Sequence, residues 1–197
     1  MSAGAMDRIR KRRRAPSNIP ANRMHVARLT ATDAPRYRAF MLHAYEAAAD
    51  AFTSTAEERA AEPESWWVKR IADPSALSFS LGAFRGDELV GTVTIEFAVK
   101  PKTKHKAQLI GMFVAESARG LGAGRALVHA ALEAAAARPG IVVVTLTVTE
   151  GNAPAIALYE SCGFRAFGIE PMAIATPSGF KSKVHMWLHL PSAPTAA

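Results

Sequence analysis

Three glycines at alternate positions, Gly120, Gly122 and Gly124, separate an apolar run ending at Val114 from an alanine-rich segment that reaches Arg138. Glycine lets the backbone take conformations that a Cβ forbids and lets a ligand come close to the main chain. The segment behind the turn is amphipathic. Leu127, Val128, Ala131, Leu132 and Ala135 recur at three- and four-residue spacing, while Arg125, His129 and Glu133 follow another face. Pro139-Gly140 supplies the stop. The first N–H groups of a helix have no intrahelical partner and carry the positive end of its dipole, so a glycine turn entering one is built to receive an anion. Arg119 and Arg125 add formal charge on either side.

The residues exclude the two commonest phosphate loops. No Lys-Ser or Lys-Thr pair follows the glycines, as a Walker loop requires. A dinucleotide fingerprint counted from Gly120 and Gly122 needs a glycine where Arg125 stands. What remains, Arg119-x-x-Gly122-x-Gly124, resembles the acyl-CoA pyrophosphate loop of the GNAT superfamily of N-acetyltransferases. Downstream, the run from Asn152 through Ala155, Leu158 and Tyr159 to Gly163-Phe164 is similar to that superfamily's N-x-x-A-x-x-L-Y-x-x-x-G-F segment, with every fixed position filled.

That resemblance implies an α/β (α+β) fold: a mixed, mostly antiparallel sheet of about seven strands with a splayed parallel pair, flanked by about four helices. It implies acetyl-CoA as cosubstrate, with the pantetheine arm in the splay against the main chain of Met112, Phe113 and Val114. The loop residues Arg119, Gly120, Leu121, Gly122, Ala123, Gly124 and Arg125 would hold the pyrophosphate. Asn152 would contact the cofactor, and Tyr159 would be the general acid that protonates the departing thiolate. Read from the residues alone, Asn152 is an N-cap after Glu150-Gly151, and Tyr159, two turns later, lies on nearly the same face.

Composition sets the bounds. With 197 residues and 49% hydrophobic content, the chain buries one substantial core and is too short for two ordinary domains. The expected division is a basic tail over residues 1–23, a folded domain over 24–190 and a short tail over 191–197. The tail holds seven cationic residues against Asp7, and so accounts for all but +1 of the net charge of +7. The high pI therefore describes the tail and not a nucleic-acid-binding face. Its cluster Arg10–Arg14 reads as an extension, or as the product of an upstream start with Met24 near the true beginning. No apolar stretch follows the arginines, which argues against a secretory signal. No run has the length of a membrane span. A lone Cys162 and the absence of any zinc-spaced Cys/His cluster point to a reducing, cytoplasmic setting without metal. A monomer or homodimer is expected.

In chain order, residues 24–29 alternate as a strand, and Thr30 or Thr32 caps a helix carrying Tyr37, Phe40, Met41, Ala44 and Tyr45. A second helical segment opens at Thr55, breaks at Pro63 and resumes through Trp66, Trp67 and Ile71. Residues 77–84 and 89–98 form a hairpin, with Thr92, Thr94 and Glu96 on a polar face opposite Val93, Ile95 and Phe97. After a lysine-rich loop comes the central strand, then the glycine turn and helix. The β-branched run 141–148 then reads as an interior parallel strand. Residues 164–175 and 181–190 close the fold as a second hairpin.

The implied chemistry is direct attack of a neutral amine on the thioester, with backbone N–H near Met112 and Phe113 at the oxyanion. The positions where histone acetyltransferases and ribosomal-protein N-terminal acetyltransferases carry a catalytic glutamate align with Gln108 and Thr147, neither of which is a base. Glu96, acting through water, leads Glu150 as candidate, or else the substrate is an α-amine, easier to deprotonate than lysine by about 3 kcal/mol. Two rivals drop catalysis: an acyl-CoA-binding sensor or interaction module, and a nucleic-acid-associated protein led by its tail. The last predicts steeply salt-dependent association with nucleic acid that disappears when residues 1–23 are deleted. On the reading preferred here, a filter-binding titration against ionic strength finds no such difference between full-length and shortened chains.

Overall fold

The computed structural model describes residues 23–191, so the cluster Arg10–Arg14 and the segment 192–197 lie outside the described residues. Seven strands form one sheet in the order β1-β2-β3-β4-β5-β7-β6. They are β1 (Met24–Arg28), β2 (Ser78–Arg85), β3 (Glu88–Phe97), β4 (Lys106–Val114), β5 (Val143–Thr149), β6 (Arg165–Thr176) and β7 (Gly179–His189). All neighbours are antiparallel except β4 and β5. The helices are α1 (Ala34–Ala47), α2 (Ala56–Ala60), α3 (Glu64–Ile71), α4 (Ala123–Ala136) and α5 (Ala153–Ser161). Among the described residues there are five α-helices where about four helices were expected, because Pro63 splits the second segment into α2 and α3 and stands as N-cap of the latter.

The sheet carries a core on each side. On one side α4 buries Ala123, Leu127, Val128, Ala131 and Ala135 against Val93, Ile95, Leu109, Val144 and Leu146. Leu132, expected on the same face, is only half-buried at its margin. On the other side α1 and α3 pack Tyr37, Met41, Tyr45, Trp67 and Ile71 over Leu29, Phe84, Leu89 and Phe113. That second layer corrects the expectation of a polar outer face on β3. Thr92 and Thr94 are fully buried beneath it, and both hydroxyls are paired. Thr92 Oγ1 donates to the Leu81 carbonyl at 3.0 Å, and Thr94 Oγ1 shares a 2.6 Å hydrogen bond with Ser80 Oγ. A buried hydroxyl is tolerated when its partner is in place.

The tryptophans divide as adjacent helical residues do. Trp67 is 1% exposed in the core, while Trp66 lies at the edge with the guanidinium groups of Arg59 and Arg70 over its ring at 4.7 and 5.7 Å. At the start of α1, the Asp33 carboxylate accepts from both the backbone N–H and the hydroxyl of Thr30, which fixes the turn out of β1.

Two irregularities in β4 position everything that follows. Its pairing with β5 lasts three residues, Lys106↔Val143, Ala107↔Val144 and Gln108↔Thr145, and then the strands part. On its other edge the register passes from Thr94↔Ile110 to Thr92↔Phe113, so three steps of β4 face two of β3. The extra residue is a bulge at Gly111, whose φ of +57° favours glycine.

Truncating the Trp67 side chain tests the second core. Trp67→Ala is expected to cost about 3–5 kcal/mol, and Trp66→Ala clearly less, in urea unfolding followed by circular dichroism.

Candidate active site

Where β5 leaves β4, the backbone of β4 from Ile110 to Val114 loses its strand partner on that edge, and the bulge interrupts the ladder on the other. Unpaired main-chain N–H and C=O groups in the middle of a sheet need another partner. They border a cleft of about 640 Å³ that passes between the two strands. Its walls are Met112, Phe113 and Val114 of β4, the turn Ala118–Gly120 with Gly122–Arg125, and Asn152, Pro154, Ala155, Leu158 and Tyr159 of α5; Ala47, Ala48 and Ala51 close it from the α1 side. The structure therefore brings together every residue expected at the cofactor except Leu121, which is 60% exposed and is not among the cleft-lining residues.

The glycine turn has the predicted form. Gly120 and Gly122 have φ of +73° and +85°, and a Cβ at either would meet no protein atom within 4 Å. These two glycines serve backbone conformation and the space in front of them, not packing. Gly122 is the N-cap of α4, and the first intrahelical bond runs from Ala126 N to Gly122 O at 3.0 Å, so the N–H groups of Ala123, Gly124 and Arg125 lack helical partners. Gly124 is glycine for a different reason. A Cβ there would stand 3.0 Å from Leu158 Cδ2, so its absence lets α4 and α5 approach. Arg119 Nε donates to the Val114 carbonyl at 3.2 Å, and Arg125 reaches Ser161 Oγ at 3.3 Å, which holds both cations at the rim. A diphosphate fits this cradle of amides, glycines and arginines.

Tyr159 is 7% exposed, and its hydroxyl donates to Met112 Sδ at 3.2 Å across the cleft. Burial, reinforced by the neighbouring Cys162, holds its phenol well above the ordinary range, so the proton stays on through neutral pH. Asn152 caps α5 by accepting from Ala155 N at 3.3 Å and lines the cleft as well. Cys162 is the buried C-cap of the same helix.

Glu96 lies elsewhere. Opposite Gln108 in the register, it is outside the cleft-lining set, and Arg70 Nη1 of α3 holds its carboxylate at 3.0 Å. Glu150 borders an adjoining recess with Thr149, Asn152, Lys181 and residues 47–51. Sequence reasoning did not find the links that shape this recess. Thr149 Oγ1 donates to the Asp50 carbonyl at 2.7 Å and Lys181 pairs with the Asp50 carboxylate, pinning the turn after α1 onto β5 and β7. It also missed the pair His185 Nε2–Glu170 Oε2, 3.0 Å apart across β7 and β6. Lys181, Lys183 and His185 alternate along β7, a pattern that marks a polar face without naming its partners. Among the described residues, no group of three His, Cys, Asp or Glu side chains is placed to hold a metal, and no helix is long and apolar enough to cross a membrane.

A seven-stranded sheet opened at its one parallel pair, with a glycine cradle and a buried phenol meeting in the opening, defines an acyl-CoA-type transferase fold. Residues 41–164 match the family described as Acetyltransferase (GNAT) family, and the chain belongs to it. It is 34% identical over 119 residues to mycothiol acetyltransferase of Thermomonospora curvata, spanning 60% of this chain and 36% of that protein. It is 30% identical over 102 residues to the L-amino acid N-acetyltransferase AaaT of Escherichia coli, spanning 52% of this chain and 62% of that one. The matches thus cover from about a third to under two thirds of those relatives' length. The structure of yncA from Salmonella typhimurium with its cofactor acetyl-CoA superposes with a TM-score of 0.70 at 19% identity, over 89% of this chain and all of that one, a likeness of fold.

The left-handed N-cap gives a direct test. Gly122→Ala is expected to cost about 1–2 kcal/mol of stability and to weaken acetyl-CoA binding about tenfold in calorimetry, whereas Leu121→Ala leaves binding unchanged.

Proposed function

We propose that this protein is an acetyl-CoA-dependent N-acetyltransferase that moves the acetyl group to a primary amine of a small molecule or peptide N-terminus. The observation that carries the reading is the meeting, in one cleft, of an anion cradle at the head of α4, an unpaired edge of β4 and the Tyr159 hydroxyl. Acetyl-CoA is the donor substrate. The amides of Ala123, Gly124 and Arg125, with Arg119 and Arg125, would take its diphosphate, and the main chain of Met112, Phe113 and Val114 its pantetheine arm.

In the transfer, the amine lone pair forms the new C–N bond as the thioester C–S bond breaks. The bulge at Gly111 leaves N–H near Met112 and Phe113 off the ladder, where it can meet the carbonyl oxygen as negative charge develops. Tyr159, kept protonated by burial, donates its proton to the sulfur. The thioether of Met112 already occupies a sulfur acceptor position at that hydroxyl. A non-catalytic acyl-CoA sensor would have no use for a buried phenol aimed at that point. The buried free Cys162 supports a reducing, cytoplasmic setting.

Acetyl-CoA turnover across amino acids, other primary amines, peptides and aminoglycosides tests the activity, and calorimetry tests binding; no heat with acetyl-CoA would refute the proposal. Tyr159→Phe is expected to lower kcat about 10²-fold or more while leaving acetyl-CoA affinity nearly unchanged. The same variant reports on stability. A phenol whose folded pKa is raised favours the fold fully below its unfolded value, about 10, and loses that contribution as pH climbs above it. Wild type is therefore expected to melt progressively lower above about pH 10, and Tyr159→Phe to flatten part of that slope.

A further inference from the structure

We propose that His185, oriented by Glu170, takes the proton from the incoming ammonium of the acceptor. The inference rests on the acetyltransferase reading above and names the group that reading leaves open. It comes from the register of the sheet. Side chains directly opposite on neighbouring strands share a face. Across β3, β4, β5, β7 and β6 this gives a row Glu96, Gln108, Thr145, Trp187, Arg165. The next row runs Thr94, Ile110, then across the opening to Thr147 and His185. Both rows lie on the α1 side, because Thr149, in phase with Thr147, meets the turn at Asp50.

On this side α1 and α3 cover only the β1–β4 half of the sheet. Beyond the gap the floor is open: Thr145 and Thr147 are half-buried, and His185 is 34% exposed. An amine approaching the thioester opposite the diphosphate cradle crosses this floor. Gln108 and Thr147, beside the gap, cannot accept a proton, and Glu96 is held by Arg70. His185 is the cross-strand partner of Thr147, with Cβ atoms about 5 Å apart.

Its surroundings suit a base. Nε2 of His185 faces Glu170 Oε2 at 3.0 Å, and the Phe167 ring stands edge-on to the imidazole at 5.8 Å. With Nε2 bound to a carboxylate, Nδ1 is left for the amine, and the carboxylate stabilises the imidazolium once the proton arrives. The other charged groups near this face are Lys183 and Lys181 on β7, Arg165 on β6 and, at the end of β5, Glu150. Lys181 is paired with Asp50, and Lys183 stands opposite Glu170. The first proton leaves the ammonium for His185, the freed lone pair forms the C–N bond, and Tyr159 supplies the proton that the sulfur gains as the C–S bond breaks. The new amide nitrogen sheds its second proton to water, Tyr159 regains a proton from water and His185 gives its own up, so that one proton is released per acetyl transferred.

The test is the pH dependence of kcat/KM from about pH 5 to 9 for the full chain, using the best amine found for the wild type, with acetyl-CoA binding followed by calorimetry. His185→Gln is expected to bind acetyl-CoA normally, to lose about 10²-fold in kcat/KM near neutrality and to lose the acidic limb of the profile. Glu170→Gln, which takes away the carboxylate that orients the imidazole, is expected to keep the acidic limb and to lower kcat/KM by about tenfold with acetyl-CoA binding unchanged. That variant decides the matter should His185→Gln fold poorly. An acidic limb unchanged in His185→Gln, or one abolished by Glu96→Gln, overturns the assignment while leaving the acetyltransferase reading intact. A wild type that binds acetyl-CoA but acetylates no amine in the panel overturns the assignment together with the acetyltransferase reading. A wild type that binds no acetyl-CoA overturns both.

Discussion

The ladder between β4 and β5 stops after Gln108↔Thr145, and the rest of the molecule is arranged around that interruption. A sheet held together by regular pairing does not open in its interior without cost, because each separated backbone group forfeits a hydrogen bond. Here the two halves are held by other means. The β1–β4 half is clamped between α1 with α3 on one face and α4 on the other, while the β5–β7–β6 half is tied by long antiparallel ladders and by α5. Because packing and ladders outside the seam hold the two halves, the seam does not need its own hydrogen bonds to stay together.

The bulge at Gly111 serves the same end. One extra residue in β4 shifts the phase of its side chains, so that Ile110 and Phe113 both face the α1 layer. Phe113 then packs edge-on against Phe40 and His43, and the main chain at Met112 is left beside the opening. The glycine cradle lies at one end of this gap and the His185–Glu170 pair beyond its other side. On the reading proposed above, a donor held at the cradle and an acceptor on the α1 face would approach the seam from opposite sides of the sheet.

Different parts of the site were legible to different degrees. The cradle could be read because it is local: glycine φ values, helix N-terminal amides and flanking arginines all fall within seven residues, and each has a residue-level cause. Tyr159 could be read with Asn152 because both stand on one short helix. Gly111 carried a weaker signal, an isolated glycine within a strand, which marks a bulge without saying what the bulge does. Glu96 was placed on the correct strand, but its partner Arg70 lies 26 residues away on a helix whose docking angle no local pattern reveals. The expected polar face of β3 failed for the same reason, since Thr92 and Thr94 alternate as surface residues do and only the second helical layer buries them.

By itself the sequence determined the order of strands and helices along the chain, the glycine turn at the head of α4 and the phenol on α5, because periodicity, capping and glycine placement act over a few residues. Only the tertiary structure decided which side chains of different elements meet. Asp50 with Lys181, Arg70 with Glu96 and Glu170 with His185 are paired by strand register and helix docking. Those depend on the packing of the whole core, and a slip of one residue in any strand would send its side chain to the other face.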